Sequence, residues 1–152
     1  QPLAEALRTR GWRLATAESC TGGLIAAACT ALAGSSDWFE RGFVTYSNAA
    51  KTEQLGVAAA LIAAHGAVSE PVVRAMAEGA LAHSPADLAV AVTGIAGPSG
   101  AVPGKPVGTV WLALAQRSAA TRCERLHLDG DRASVRAQTV RIALERALER
   151  CR

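Results

Sequence analysis

Apolar positions along the chain change their spacing several times, and each change marks the boundary of a predicted element. Residues 3–7 have helical composition and precede Gly11, a residue type that ends helices, whereas residues 12–17 can form a strand. After a turn that contains two adjacent glycines, residues 24–32 are mostly strong helix formers. The beginning of the chain therefore predicts a helix, a strand, a glycine-bearing turn and a second helix.

The next segment predicts a short strand followed by a short helix. Residues 43–46 have strand composition. Ser47 or Asn48 can cap a helix that ends at Gly56, because serine and asparagine accept hydrogen bonds from the first helical amides. This arrangement places Lys51 in the first turn of the helix.

The middle of the chain predicts two helices, a buried strand and a long loop. Residues 57–65 and 69–83 have helical composition, and residues 88–92 form a continuous apolar run typical of a strand that is buried on both faces. Residues 93–108 contain five glycines and three prolines. Loops of that length are often functional, so this segment is a candidate part of a binding site.

The end of the chain predicts a hairpin followed by a long helix. Residues 109–115 and 121–128 have strand patterns, and the Asp-Gly-Asp sequence at 129–131 can cap a helix over 132–150. Strands separated by helices predict an α/β fold, here a single-domain three-layer α/β/α sandwich over residues 1–152. The hairpin makes the predicted sheet mixed, although mostly parallel.

The amino-acid composition limits the classes of protein to which the chain can belong. Half of the residues are apolar, aromatic residues make up 4%, and mean hydropathy is +0.18, which predicts a packed core built from small side chains. No run of about 18 uncharged apolar residues exists, and charged residues interrupt the N-terminal segment where a signal peptide needs apolar ones. The four cysteines fit no zinc-site spacing, so we expect reduced thiols in a cytoplasmic protein without a metal.

Positive charge is concentrated at the C-terminal end. Residues 1–116 carry 7 basic and 8 acidic side chains, whereas residues 117–152 carry 9 and 5, and every basic residue in the second segment is arginine. Arginine favours two-pronged contacts with phosphate, so a phosphorylated ligand is one interpretation. The other is a solvated helix face stabilised by Arg–Glu pairs. The excess of basic over acidic residues is modest, and no aromatic residue follows Trp111. Both features argue against a nucleic-acid partner.

Ser19 is the candidate nucleophile. It lies in the turn between the first predicted strand and the helix that follows, and Thr21, Gly22 and Gly23 come later in the same turn. A serine in such a turn presents its hydroxyl beside backbone N–H groups that can stabilise an oxyanion. The alternative interpretation is a helix cap made by Ser19 or Thr21, with the two glycines needed only for close packing.

Lys51 is the candidate base for that serine. The three histidines lie at positions that suit a Ser/His/Asp triad poorly, and the chain has only two lysines, Lys51 and Lys105. Lysine can lose its proton when it is desolvated, whereas arginine cannot, and Ser-Lys enzymes use this property. Tyr46, the only tyrosine, precedes Lys51 by five residues and could relay or orient a proton. For Lys51 and Tyr46 alike, the alternative interpretation is that the side chain provides only ordinary packing or surface charge and takes no part in catalysis.

Several motifs together resemble one family. They are AESCTGG at 17–23, VTYSNAAK at 44–51, VTGIAGP at 92–98, PGKPVGTV at 103–110 and GDR at 130–132. In this order, and over almost the whole chain, they are similar to the CinA C-terminal domain family, which includes stand-alone nicotinamide-nucleotide amidohydrolases. Many members carry a further N-terminal domain, so we expect either a stand-alone enzyme or a fragment of a longer one.

The resemblance implies a reaction and a set of catalytic residues. The reaction is hydrolysis of the carboxamide of nicotinamide mononucleotide, which gives nicotinic acid mononucleotide and ammonia in pyridine-nucleotide salvage. The family has an α/β/α sandwich and uses neither a metal nor a cofactor. Carried over by motif, Ser19 is the nucleophile and Lys51 its base, while Tyr46 and Thr93 are polar groups around the reacting amide.

The resemblance also implies which residues surround the substrate. Two arginines one helical turn apart at the GDR motif are expected to bind phosphate, aided by the positive end of a helix dipole. The full set of expected substrate-binding residues is Glu18, Thr21, Gly22, Gly23, Gly94, Arg132 and Arg136.

Two further functions stay open from the sequence. One is a non-catalytic nucleotide-binding or regulatory module linked to competence or DNA damage, and the other is a DNA-processing accessory whose binding would be sensitive to salt. The expected partner is a small-molecule pyridine nucleotide, with no membrane contact. The family's habit of self-association also favours a homo-oligomer.

Overall fold

A single mixed sheet lies at the centre of the computed structural model, which describes residues 1–152. Its strands are β1 (Leu14–Glu18), β2 (Phe39–Val44), β3 (Leu88–Gly94), β4 (Thr109–Gln116) and β5 (Arg122–His127). Their spatial order is β2-β1-β3-β4-β5. β1 pairs in parallel with β2 and β3, whereas β4 is antiparallel to β3 and to β5. The predicted mixed sheet is confirmed, with β4 as the one strand that runs against the other four.

Six α-helices surround the sheet. They are α1 (Pro2–Arg10), α2 (Leu24–Thr30), α3 (Asn48–Leu55), α4 (Ala59–His65), α5 (Glu70–Ala82) and α6 (Arg132–Cys151), with a short 3-10 turn at Ser35–Asp37. Of the two caps considered for α3, it is the Ser47 side chain that accepts a hydrogen bond from Ala50 N. The Asp131 carboxylate caps α6 in the same way. None of the helices is long and apolar enough to cross a membrane.

The helices form two layers, one on each face of the sheet. α1, α2 and α6 cover one face, and α3, α4 and α5 cover the other, so the predicted α/β/α sandwich is confirmed. β3 is buried from Leu88 to Val92 because it packs against both layers, which explains its continuous apolar run. Full burial of a leucine or valine side chain stabilises a fold by about 1.5–3 kcal/mol.

Small residues allow close packing between the sheet and α5 and between α5 and α3, the helix that carries Lys51. On the α5 face the buried apolar residues of the strands are all alanines, including Ala15, Ala17 and Ala91. Within α5, a Cβ atom added to Gly79 would collide with the backbone carbonyl of Leu55 at the end of α3. The lack of a side chain at Gly79 therefore allows α3 to pack tightly against α5.

Several predicted boundaries differ from the structure by about two residues or more, and two of these differences bear on the site. β2 spans Phe39–Val44, not residues 43–46, because it is a half-exposed edge strand whose residues show no clear apolar pattern. β3 extends through Gly94, so the loop predicted from residue 93 begins two residues later. That loop is ordered by an isolated bridge between Val102 and Lys105.

Candidate active site

The site lies at the carboxyl edge of the parallel strands. The register pairs Glu18 at the end of β1 with Val44 of β2 and Val92 of β3, so the residues that follow come together at one edge. A cavity of about 220 Å³ opens there. Six of its lining residues are among those expected from the sequence: Ser19, Tyr46, Lys51, Thr93, Gly94 and Arg132.

Backbone hydrogen bonds fix Ser19 at the inner end of this cavity. Its N–H donates to the carbonyl of Val92 at 3.1 Å, and its own carbonyl accepts from Gly22 N at 3.1 Å. Gly22 has a positive φ of 60°, a conformation that glycine adopts without strain. Ser19 lines the cavity and is only 8% exposed, so little of the residue is open to solvent.

Glu18 holds the start of α2 from behind the cavity. Its fully buried carboxylate accepts hydrogen bonds from Ile25 N and Ala26 N, both at 2.9 Å, and from the Thr21 hydroxyl. These contacts satisfy helix N-terminal amides that have no other side-chain cap, since the N-cap residue is Gly23. Glu18 therefore shapes the nucleophile turn without lining the cavity.

Lys51 reaches Ser19 from the first turn of α3. Its Nζ atom lies 3.1 Å from Ser19 Oγ and donates to the carbonyls of Thr45 at 3.0 Å and Tyr46 at 3.1 Å. The side chain is 1% exposed, and burial lowers the pKa of its ammonium below the usual 10.5. The amine is thus held against the hydroxyl under conditions that favour its neutral form.

The carbonyls around Lys51 set the direction of its lone pair. A neutral amine has two N–H groups, and the Thr45 and Tyr46 carbonyls are placed to accept both. The contact between Nζ and Ser19 Oγ, in which the ammonium donates to the hydroxyl, would reverse in the neutral amine, whose lone pair can accept the Ser19 proton. This geometry is the one that general-base activation of a serine requires.

The amides of the turn differ in their availability. Gly22 N is already bonded to the Ser19 carbonyl, whereas the N–H groups of Cys20, Thr21 and Gly23 donate no hydrogen bond. Cys20 follows the serine directly and lines the cavity, which is the usual position of an oxyanion donor after a nucleophile turn. The sequence interpretation named residues 21–23 and overlooked Cys20.

Tyr46 and Arg132 form the exposed mouth of the cavity. Arg132, the first residue of α6, donates to the Gly97 carbonyl at 3.0 Å and to the Tyr46 hydroxyl at 3.3 Å. No carboxylate pairs with its guanidinium. Tyr46 is 61% exposed. The mouth therefore offers a cation and a phenol to a ligand that enters from solvent.

Thr93 and Gly94 are the last two residues of β3 and line the same cavity as Ser19. The buried Thr93 hydroxyl donates to the Ala67 carbonyl at 3.1 Å, which ties the segment before α5 to the sheet. A Cβ atom on Gly94 would lie 2.7 Å from the Val110 side chain, so β4 leaves no room for one. Glycine at this position thus permits the close approach of the two strands.

Five of the expected substrate-binding residues do not line the cavity: Glu18, Thr21, Gly22, Gly23 and Arg136. Arg136 instead donates to the backbone carbonyls of Cys20 and Thr21, on the other side of the turn. Conversely, the structure adds five lining residues: Cys20, Asn48, Ala67, Val68 and Ala96. Cys20, Asn48 and Ala96 fall inside the family motifs, but Ala67 and Val68 are apolar loop residues that carry no sequence signal.

The cysteines and acidic residues are not arranged as a metal site. All four cysteines are free, and no group of three or more His, Cys, Asp or Glu side chains lies together. Burial raises the pKa of the Cys20 thiol to about 11. Cys20 is therefore a neutral thiol near pH 7 and a weak nucleophile beside Ser19.

Comparisons with known proteins agree with the fold and the motifs. The model of the CinA C-terminal domain family matches residues 1–151. Over 147 residues the chain is 56% identical to the nicotinamide-nucleotide amidohydrolase PncC of Pseudomonas putida, covering 97% of this chain and 91% of that protein. Over 143 residues it is 58% identical to a CinA-like protein of Citrifermentans bemidjiense, covering 94% of this chain and 34% of that protein. The crystal structure of a CinA superfamily protein from Klebsiella pneumoniae has a TM-score of 0.95 and 45% identity, covering 99% of this chain and 93% of that chain.

Proposed function

The chain belongs to the CinA C-terminal domain family, and from that premise we propose that it hydrolyses the carboxamide of nicotinamide mononucleotide to nicotinic acid mononucleotide and ammonia. The observation that carries the proposal is the buried pair of Ser19 Oγ and Lys51 Nζ, 3.1 Å apart at the inner end of the cavity. The substrate class follows from the relative in Pseudomonas putida, which is named a nicotinamide-nucleotide amidohydrolase.

The first step is attack by Ser19 on the amide carbon. The oxygen–carbon bond forms while the hydroxyl proton passes to the neutral Lys51 amine, whose position 3.1 Å away suits direct transfer. Because burial favours the neutral amine, a larger fraction of the enzyme is ready to accept that proton near pH 7. The carbonyl π electrons move to the oxygen, which becomes an oxyanion.

The free amides of Cys20 and Thr21 are the proposed donors to this oxyanion. Neither amide has another hydrogen-bond acceptor. Cys20 lies beside the nucleophile in the cavity wall, whereas Thr21, the next residue of the turn, is fully buried behind it. Fixed donors in a site with little water stabilise developing charge without reorganising. Removal of one such donor typically costs about 100- to 1,000-fold in turnover.

Collapse of the tetrahedral intermediate breaks the carbon–nitrogen bond. The departing nitrogen takes the proton of the Lys51 ammonium, either directly or by way of the Tyr46 hydroxyl, which gives up its own proton and regains one from Lys51. Ammonia leaves, and Lys51 is neutral again. Water then attacks the acyl-serine as Lys51 accepts its proton, and the carboxylic acid is released as Ser19 regains its hydrogen. Thr93 contributes a polar wall to this chamber.

Arg132 is the proposed phosphate contact at the mouth of the cavity. It sits at the N-terminus of α6, which adds a favourable dipole, and it has no acidic partner. A nucleotide with its amide at Ser19 and its phosphate at Arg132 would span the cavity from its inner end to solvent.

Ammonia release from nicotinamide mononucleotide by the purified chain tests the proposal. We expect turnover that EDTA does not reduce and that Ser19→Ala lowers by roughly 10,000-fold or more, with an unchanged melting temperature. Nucleotide binding without ammonia release would instead favour a regulatory module. Wild-type turnover in Ser19→Ala would reject the nucleophile.

Three broader properties belong to the same proposal. Residues 1–152 act as one amidohydrolase domain, the protein works in the cytoplasm, and it associates with copies of itself. Light scattering of the purified chain tests the last point: a mass above 15.6 kDa supports it, and a monomer contradicts it.

A further inference from the structure

Arg136 donates two hydrogen bonds to the nucleophile turn, residues 19–23, from the side opposite the cavity. Its Nε atom donates to the carbonyl of Cys20 at 3.1 Å and its Nη2 atom to the carbonyl of Thr21 at 3.2 Å. No carboxylate lies within ion-pair distance of it. A Cβ atom on Gly22 would lie 3.4 Å from Nη2, in van der Waals contact, so Arg136 also packs against the turn at Gly22.

Two rigid units meet in this contact, and that limits how the turn can move. The guanidinium is planar with its donors in a fixed fork, and each peptide unit is planar as well. The carbonyl of Cys20 therefore fixes the direction of Thr21 N–H, which belongs to the same peptide unit. That N–H has no other acceptor.

The positive charge of Arg136 adds a second effect to this orientation of the peptide. A cation that donates to a peptide carbonyl polarises the peptide, and hydrogen bonds in such chains reinforce one another. The N–H of Thr21 consequently becomes a better donor when Arg136 holds the Cys20 carbonyl. The same contact resists rotation of the turn while negative charge forms on the substrate oxygen.

We propose that Arg136 is a positioning residue that orients and polarises the peptide amides of the nucleophile turn, and that it does not bind the substrate phosphate. The inference rests on the proposed amide hydrolysis. It differs from the expectation drawn from the sequence, which gave Arg136 and Arg132 the same phosphate role.

The placement of the two arginines supports this division. Arg132 lines the cavity, whereas Arg136 does not. A phosphate could take the place of the Cys20 and Thr21 carbonyls at Nε and Nη2 of Arg136 only by displacing them. Those carbonyls are backbone groups of a turn fixed by Glu18 and by Val92, so they cannot withdraw easily.

Steady-state kinetics with two substrates separates the two roles. We expect Arg136→Gln to lower kcat by about 10- to 100-fold with little change in KM, since it weakens an oxyanion donor without removing it. The loss should be equal for nicotinamide mononucleotide and for nicotinamide riboside, which lacks the phosphate. Arg136→Lys should recover part of kcat because it keeps a charge but not the fork. Arg141→Gln, which removes an exposed charge from α6, is the matched control.

A raised KM with unchanged kcat, or a loss confined to the phosphorylated substrate, would overturn the inference. A wild-type chain with no amidase activity would overturn the proposed function instead, and amide hydrogen exchange then tests Arg136 on its own. The Gly22 amide, bonded to Ser19, should exchange about 10-fold faster in Arg136→Gln but not in Arg141→Gln. Equal exchange in both variants would show that Arg136 does not order the turn.

Discussion

The inner end of the cavity and its mouth use similar chemical groups under opposite conditions. At the inner end, Ser19 and Lys51 are buried, and the lysine donates only to a hydroxyl and to backbone carbonyls. At the mouth, Tyr46 and Arg132 are exposed to solvent. Each end has one cation beside one hydroxyl, but the inner cation, Lys51, is buried, and burial lowers its pKa.

This difference assigns separate tasks to the two ends. Electrostatic interactions between buried groups are several times stronger than the same interactions at an exposed surface, where salt also screens them. The inner end can therefore change the height of the barrier, whereas the mouth contributes to ground-state and transition-state binding alike. Substitutions at the inner end should act on kcat, and those at the mouth should act on KM.

Loss of the buried amine is expected to have the larger effect. Lys51→Met keeps most of the side-chain volume but removes the base, so kcat should fall by about 1,000-fold, within the range that general-base catalysis supplies. Initial rates of ammonia release measure it, and circular dichroism checks that the variant folds. A kcat within about threefold of wild type would contradict the role of Lys51 as base.

Loss of the exposed cation is expected to have the smaller effect. Arg132→Ala should raise KM for nicotinamide mononucleotide by about 10-fold and leave kcat nearly unchanged, because a phosphate contact far from the amide is uniform binding. The increase should shrink as salt concentration rises, since the contact is exposed. An unchanged KM at low salt would show that Arg132 does not bind the phosphate.

The inner end could be predicted largely from the sequence because its chemistry depends on local elements. A strand, a turn with two glycines and a helix place Ser19, and a capped helix places Lys51 in its first turn. That these two elements would meet at 3.1 Å could not be predicted, since it depends on β1 and β2 pairing in parallel.

The roles of Glu18 and Arg136 could not be predicted for a different reason. Sequence shows that a charged residue is near a motif, but not on which side of the backbone its side chain lies. Glu18 turns toward the amides of α2, and Arg136 reaches across from α6 to carbonyls more than a hundred residues earlier in the chain. Only the packing of α6 against the start of α2 decides that Arg136 points to the turn and Arg132 to the cavity.

The pH dependence of kcat/KM for nicotinamide mononucleotide tests the Ser19–Lys51 pair most directly. Protonated Lys51 cannot accept the serine proton, so kcat/KM should rise as pH increases and then level off above the pKa of Lys51, which burial places below 10.5. Measured from about pH 6 to about pH 9.5, the wild type should show this rise and the residual activity of Lys51→Met should not. A wild-type profile that is flat over this range, or an identical rise in Lys51→Met, would contradict the account.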